Sequence, residues 1–504
     1  MTLRPGWFCF CVGWVVWTPA AWAYPHLALR PADTVLAGPA DGHLASMFYN
    51  PASIRLRPGS EVLLQGGAHV YLGHYERQAE PPTGFGTGLQ TNRAPILWAN
   101  PQTLAAASWD LRSDSVTLAL AFSTPAFDRT DYQRDGLTAE QLSTRYHAIR
   151  ETSYSLWGSL AVGIKLKSWL LLGGSFHIGY SRSNHLFFRD RDAQGRDALG
   201  CGGACEQWVN HVAIETDVDK VGYGFSVGGL IEPVHERLWL GLSYGSPLLS
   251  DQGAVVALEG QPTDPLWKPG ESCPPGWMGA RFQAYGEQTS RCGAARVTVA
   301  FPHLIYFGAR ARFPRGESAT ALRSIELASW VRLSVAGRFD QEIQFERALT
   351  QVEVSQTGTR PIQPLLQNRP LSSALAFAIT WGVRQHFRRV TVGEEILYET
   401  PRGEVGVVSP ANLDGHKLDF SVSVRARLHR KLSLHVSGGG TYLIFPEQSG
   451  GQFDTGLAQS CRQQNYDVTH PNCVAVSRGL AVSPALGQYA VSVAHGSVGL
   501  EFHL

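Results

Sequence analysis

The sequence predicts an all-β protein, a 14-stranded antiparallel transmembrane β-barrel with an N-terminal segment folded back into its lumen. Three observations carry this: apolar residues at every second position, a regular alternation of long and short connections, and a composition rich in turn formers and aromatics. The 504 residues include 53 Gly, 14 Trp and 16 Tyr, with 44% hydrophobic and 17% charged residues. That balance suits strands and turns, and a closed barrel with long loops can use the whole length as one domain. Formal net charge is +1, so long-range electrostatics do not favour a polyanion, and no nucleic-acid partner is expected.

The chain opens with Arg4, an apolar stretch from Trp7 to Trp17, then Thr18, Pro19 and the small-x-small site Ala21-Trp22-Ala23. This pattern predicts a signal peptide over 1–23, cleaved before Tyr24. The apolar run is much shorter than the roughly 20 residues of a spanning helix. No later segment is apolar enough for a helical span either, so strand patterns must separate a soluble periplasmic or secreted protein from a transmembrane barrel.

Residues 24–58 do not alternate, and Tyr24 to Arg57 is too apolar for a solvated tail. The reading is a plug, or hatch, inside the lumen; the alternative is a periplasmic extension. From 59 to 504 the period of two recurs. Leu418, Phe420, Val422, Val424, Ala426 and Leu428 share one face, opposed by Asp419, Ser421, Ser423, Arg425, Arg427 and His429. Leu432, Leu434 and Val436 keep the register across a tight turn, and Leu375, Phe377, Ile379, Trp381 and Val383 form another such face. A barrel wall requires this, with lipid on one side of each strand and a lumen tolerant of polar groups on the other.

Connection length supplies the stronger argument. Long polar connections fall near 77–95, 128–149, 190–206, 258–296, 346–371, 400–415 and 446–487, and shorter turns near 110–115, 165–169, 231–237, 313–323, 387–391 and 428–431. Such parity is the habit of outer-membrane barrels, with short periplasmic turns and long external loops. The last strand fits, with Val498, Leu500, Phe502 and Leu504 on one face and Glu501 and His503 on the other. An apolar C-terminal strand of this kind makes barrel-assembly machinery an expected partner during biogenesis, and outer-membrane lipid a lasting one. Between Leu137 and Arg150, capping-box spacing of Thr138 and Gln141 suggests a short helix.

Cys9 and Cys11 fall in the signal peptide, leaving Cys201, Cys205, Cys273, Cys292, Cys461 and Cys473. Neighbouring pairs, Cys201 with Cys205, Cys273 with Cys292 and Cys461 with Cys473, each fall within one predicted long loop, where disulfides restrict mobile chain. Other pairings remain formally open. A metal site would favour tighter Cys or Cys/His spacing, so none is expected. No HExxH zinc motif or phosphate loop occurs, and neither catalysis nor a cofactor is expected.

Ala37-Gly38-Pro39-Ala40-Asp41 followed by Phe48-Tyr49-Asn50-Pro51-Ala52 resembles the hatch signature of the FadL-type long-chain fatty-acid and hydrocarbon channels. The stretches Gly222-Tyr223-Gly224-Phe225, Arg237 to Pro247, Phe301-Pro302-His303 with Phe307 to Arg310, and Gly499 to Phe502 are also similar to strands of that family. The resemblance implies a monomeric 14-stranded barrel in which a hydrophobic ligand, a fatty acid or hydrocarbon, is captured among the outer loops, shifts the hatch and leaves sideways through the wall. Asn50, Pro51 and Ala52 would hold the hatch's shape. Ser123-Thr124-Pro125 lies near the family's inward kink and is the candidate wall opening, since proline removes a ladder donor; alternatively Pro125 merely ends its strand. Two other functions stay open: a diffusion porin, which needs an open lumen lined by opposed charges, and a lipid hydrolase, which needs a Ser-His pair at the lipid boundary.

Overall fold

The computed structural model describes residues 35–57, 59–77, 93–111, 115–132, 144, 149–190, 211–246, 253–260, 289–298, 303–314, 322–335, 340–345, 351–354, 358–361, 369–370, 375–401, 413, 415–445 and 487–504. Fourteen strands build the wall. The first seven are β1 (Glu61–Arg77), β2 (Arg93–Asp110), β3 (Val116–Asp131), β4 (Arg150–Lys167), β5 (Leu170–Asp190), β6 (His211–Val234) and β7 (Leu238–Gly245). After the outer segments β8 (Gly253–Gly260) and β9 (Thr289–Thr298) come β10 (His303–Pro314) and β11 (Leu322–Val335). Three pieces follow, β12 (Asp340–Phe345), the hairpin of β13 (Gln351–Val354) with β14 (Gly358–Pro361), and β15 (Arg369–Pro370). The wall resumes with β16 (Leu375–Phe387), β17 (Val390–Glu399), β18 (His416–His429), β19 (Leu432–Ile444) and β20 (Gly487–His503).

Wall strands pair antiparallel with their neighbours, and β20 returns to β1 with Glu61 opposite His503 and Arg77 opposite Gly487. Closure removes the sheet edges that could not be satisfied in hydrocarbon. No helix among the described residues is long and apolar enough to cross a membrane. The predicted alternation sets which side chains face outward. On β18, Leu418 and Phe420 are 47% and 53% exposed while Asp419 and Ser421 are at 1% and 0%. On β16, Leu375, Phe377 and Trp381 point out, and Ala376, Ala378 and Thr380 point in and are buried. These outward residues join Leu120, Phe122, Leu160, Phe176 and Phe307 in an apolar belt.

Connection parity also holds. The strand ends joined across 111–115, 168–169, 235–237, 315–321, 388–389 and 430–431 lie at the end where the Leu504 amide donates to the Ser60 carbonyl at 3.0 Å, and the strand ends joined by the longer connections lie at the other end. Two of those predicted loops are partly strand. β8 pairs with β6 and β9, and β9 with β12, so β8, β9, β12 and β15 prolong β7, β10, β11 and β16 beyond the belt. Cys292 therefore sits on β9, opposite Ala257, and not in a loop as expected. Beyond the lipid a ladder needs no apolar face, so the period-two signal vanishes there while the hydrogen bonds continue. The predicted signal peptide at 1–23, residues 24–34 of the predicted hatch, Cys201, Cys205, Cys273, Cys461, Cys473 and most of the 137–150 segment lie outside the described residues.

Candidate functional site

Residues 35–57 run across the lumen and touch the inward faces of most wall strands. Leu44, Ala45, Met47 and Ile54 pack on Leu63 of β1, Leu104 of β2, Ala119 of β3 and Ala161 of β4. Ala37 and Tyr49 meet Tyr306, Trp330, Ala378 and Leu397, while Ala40 and Ala52 meet Leu171, Leu230 and Trp239. Burial of each such leucine, isoleucine or methionine contributes about 1.5–3 kcal/mol. The packing depends on missing side chains: a Cβ on Gly173 would overlap the Pro51–Ala52 backbone, and one on Gly241 the Pro39 carbonyl.

Two short 3-10 turns, Leu44–Phe48 and Pro51–Leu56, shape the segment. Asn50 caps the second, its Oδ1 accepting from the Ala52 amide at 3.1 Å. Its Nδ2 donates to the carbonyls of Pro39 at 2.8 Å and Gly229 at 3.0 Å, so one fully buried side chain joins two stretches of the segment to β6. Pro51 starts the turn, where a missing N–H costs nothing. Ala52 is wholly buried against β5.

Ionic contacts complete the docking. Asp41 accepts from Arg384 at 2.7 and 2.9 Å and from Arg310 at 3.3 Å. Burial alone would raise its pKa, but Arg384, then Arg310 and Arg57, outweigh that and hold the carboxyl well below the usual carboxylate range. Arg57 donates to Glu501 at 3.0 Å. His43 accepts from the Ala45 amide and sits edge-on to His435, whose Nε2 lies 2.5 Å from Glu501. Burial, then His435, pushes His43 down from 6.5 to about 3.

Toward the long loops most inward positions of β1, β2, β19 and β20 are apolar or aromatic. Tyr71 stacks on Trp98 with centroids 5.0 Å apart, Tyr75 meets Tyr489 at 4.9 Å, and Ile96, Leu443, Val491 and Val493 are buried beside them. The wall changes near the same depth. β3 continues past Pro125 to Asp131, so Pro125 does not end the strand. The β2–β3 ladder stops at Thr103 and Thr124, and the β3–β4 register slips between Ser123 and Ala126. Beyond that point β2 pairs with β1 alone and β3 with β4 alone among the described residues.

A Ser-His cluster does form. His177 Nδ1 lies 2.8 Å from Ser159 Oγ, and its Nε2 lies 2.9 Å from Ser175 Oγ and 3.0 Å from Ser226 Oγ. It faces the lumen under Phe48, whose ring is 6.3 Å away, and not the lipid boundary that a lipid hydrolase requires.

No protein-family model and no curated protein matches the chain by sequence. Solved structures do match. A Pseudomonas aeruginosa FadL homologue superposes with a TM-score of 0.65 over 96% of this chain and 98% of that one, at 13% identity. The fold is that of the FadL-type channels. The Pseudomonas putida toluene transporter TodX gives 0.59 over 95% and 98% at 13% identity, and the Ralstonia pickettii toluene transporter TbuX gives 0.54 over 94% and 98% at 12%. At such identity the likeness is one of architecture.

Within this FadL-type fold, Asn50, Pro51 and Ala52 lie together at the segment's contact with β5 and β6, while Ser123, Thr124 and Pro125 lie apart from them in the wall. Sequence reasoning placed Arg384 and Arg425 on inward faces but did not assign Asp41 and Glu501 as their partners. Those pairs span 343 and 76 residues, and alternation gives the face of a residue without its partner.

Proposed function

We propose that the chain is a monomeric outer-membrane channel that takes up hydrophobic compounds such as long-chain fatty acids or hydrocarbons. The observation that carries this reading is the 35–57 segment packed across the lumen of a closed barrel, which obstructs the aqueous path a diffusion porin needs. The apolar belt and connection parity support the outer-membrane location. In this reading ligand enters among the aromatic residues of the outer lumen, the hatch shifts, and the ligand leaves sideways where the β2–β3 ladder ends. An apolar solute gains free energy by partitioning into lipid and nothing from a water-filled pore.

The test is uptake of labelled long-chain fatty acid, toluene and a small sugar by cells lacking their own channels. They express either the full chain or a version lacking Tyr24 to Arg57. Hydrophobic uptake that requires the intact segment supports the channel; sugar uptake by the full chain without hydrophobic uptake replaces it with a porin.

A further inference from the structure

Beneath the N-terminal segment, toward the short turns, lies a cavity of about 550 Å³. Val35, His43, Leu56 and Arg57 form its roof, and its walls come from nine wall strands, β7 round to β1, including Trp239, Arg310, Glu326, Arg384, Arg425 and His435. Nine arginines, no lysine and two glutamates line it. The whole chain carries a formal net charge of +1. Positive charge is therefore gathered at one end of the lumen.

The arginines fall into two groups. Arg57, Arg310, Arg312, Arg384 and Arg425 each reach a carboxylate of Asp41, Glu326 or Glu501 at 2.7 to 3.7 Å. Arg323, Arg388, Arg389 and Arg427 have no carboxylate partner among the described residues. Arg388 and Arg389 form the β16–β17 turn at the cavity's edge. Like charges in one concave basin with low-dielectric walls raise the local potential and draw counter-ions. The guanidinium fork also suits a planar or tetrahedral oxyanion, which it binds through two parallel hydrogen bonds that an ammonium cannot make.

We propose that this basin is a binding site for an oxyanion, a carboxylate or phosphate group, presented at the short-turn end of the barrel. Arg388, Arg389 and Arg427 bind the anion, and the carboxylate-paired Arg310 and Arg384, tied to Asp41 of the roof segment, form the inner surface against which it sits. Arg310 is also held over the Trp239 ring at 4.0 Å, which leaves an apolar surface beside the charge. The anion has two possible sources, a carboxylate-bearing ligand leaving the barrel or a phosphate group on the periplasmic side. Both use the same chemistry.

The test is calorimetric titration of the purified full chain in non-ionic detergent with inorganic phosphate and with hexanoate, and with hexanol as the uncharged control. Expected is saturable binding of at least one anion and none of hexanol. Added salt should weaken it, since the screening length is about 10 Å at 0.1 M. The combined variant R388Q, R389Q, R427Q should bind roughly ten-fold or more weakly, as expected for lost charge-assisted hydrogen bonds. The corresponding lysine variant should fall between, because it keeps charge and loses the forks. If the triple glutamine variant does not fold, R427Q alone gives the same direction. Displacement of phosphate by hexanoate would assign the site to carboxylates, and phosphate binding that hexanoate leaves intact would assign it to phosphate groups. No saturable anion binding, or binding unchanged in the glutamine variants, overturns the proposal. The assay reads binding without transport, so its failure leaves the channel reading standing.

Discussion

Asn50 concentrates more of the segment's geometry than any neighbour, because its one buried amide satisfies two carbonyls and an amide that no water reaches. Replacing it strands those groups, and each unsatisfied buried polar group costs about 1–3 kcal/mol. Asn50→Ala is therefore expected to weaken docking of the 35–57 segment by about 2–4 kcal/mol while leaving the wall folded. Hydrogen exchange at the Ala52 amide checks this: faster exchange there with unchanged strand protection is the expected outcome. Asn50→Ser, which still caps the turn, should recover some of the loss. Unchanged exchange in Asn50→Ala would mean that the apolar contacts alone hold the segment.

At the scale of the element, the segment's docking depends on pH through His43, which faces His435, Glu501, Arg57 and Asp41. Docked, His43 resists protonation until about pH 3; hydrated after release, it titrates near its ordinary 6.5. The released form binds the extra proton, so docking weakens as pH falls from about 6.5 toward 3, by at most about 1.4 kcal/mol per pH unit. Asp41 acts lower down. Its depressed pKa stabilises the docked form above the ordinary carboxylate value, and that contribution is lost only as pH falls below about 4. Exchange of the 35–57 amides between pH 7 and pH 4, corrected for intrinsic rates, reads the effect, and His43→Gln should flatten it. A slope that survives this substitution would place the titrating group elsewhere. The end of the β2–β3 ladder belongs to the same scale, because it falls beside the β3–β4 register slip at Pro125, and these two strands pair along their lower halves.

For the whole molecule, the outward belt decides where the protein can exist. Phe420→Arg puts a charge on that belt, and its expected cost is about 2–4 kcal/mol near the bilayer midplane. Denaturant titration of folding into lipid vesicles measures this, with Phe420→Leu as the near-neutral control; an arginine tolerated at no cost would show that this face does not meet lipid. The belt and the strand count were legible in the sequence, because alternation such as Leu418 to His429 repeats locally and loop parity needs only lengths. Cys292 on β9 was not legible, since outer wall segments lose the apolar face that marks a strand. Nor were the ion pairs of Asp41 with Arg384 and Glu501 with Arg57, or the clearance Gly173 gives Ala52. The sequence by itself determined the barrel, its two faces and the presence of a non-alternating segment ahead of it, because each follows from local alternation and from the lengths of the connections along the chain. Tertiary structure alone decided where that segment docks, where the β2–β3 ladder ends and which charges meet, because those depend on closure of the ring, which brings residues hundreds of positions apart into a single lumen.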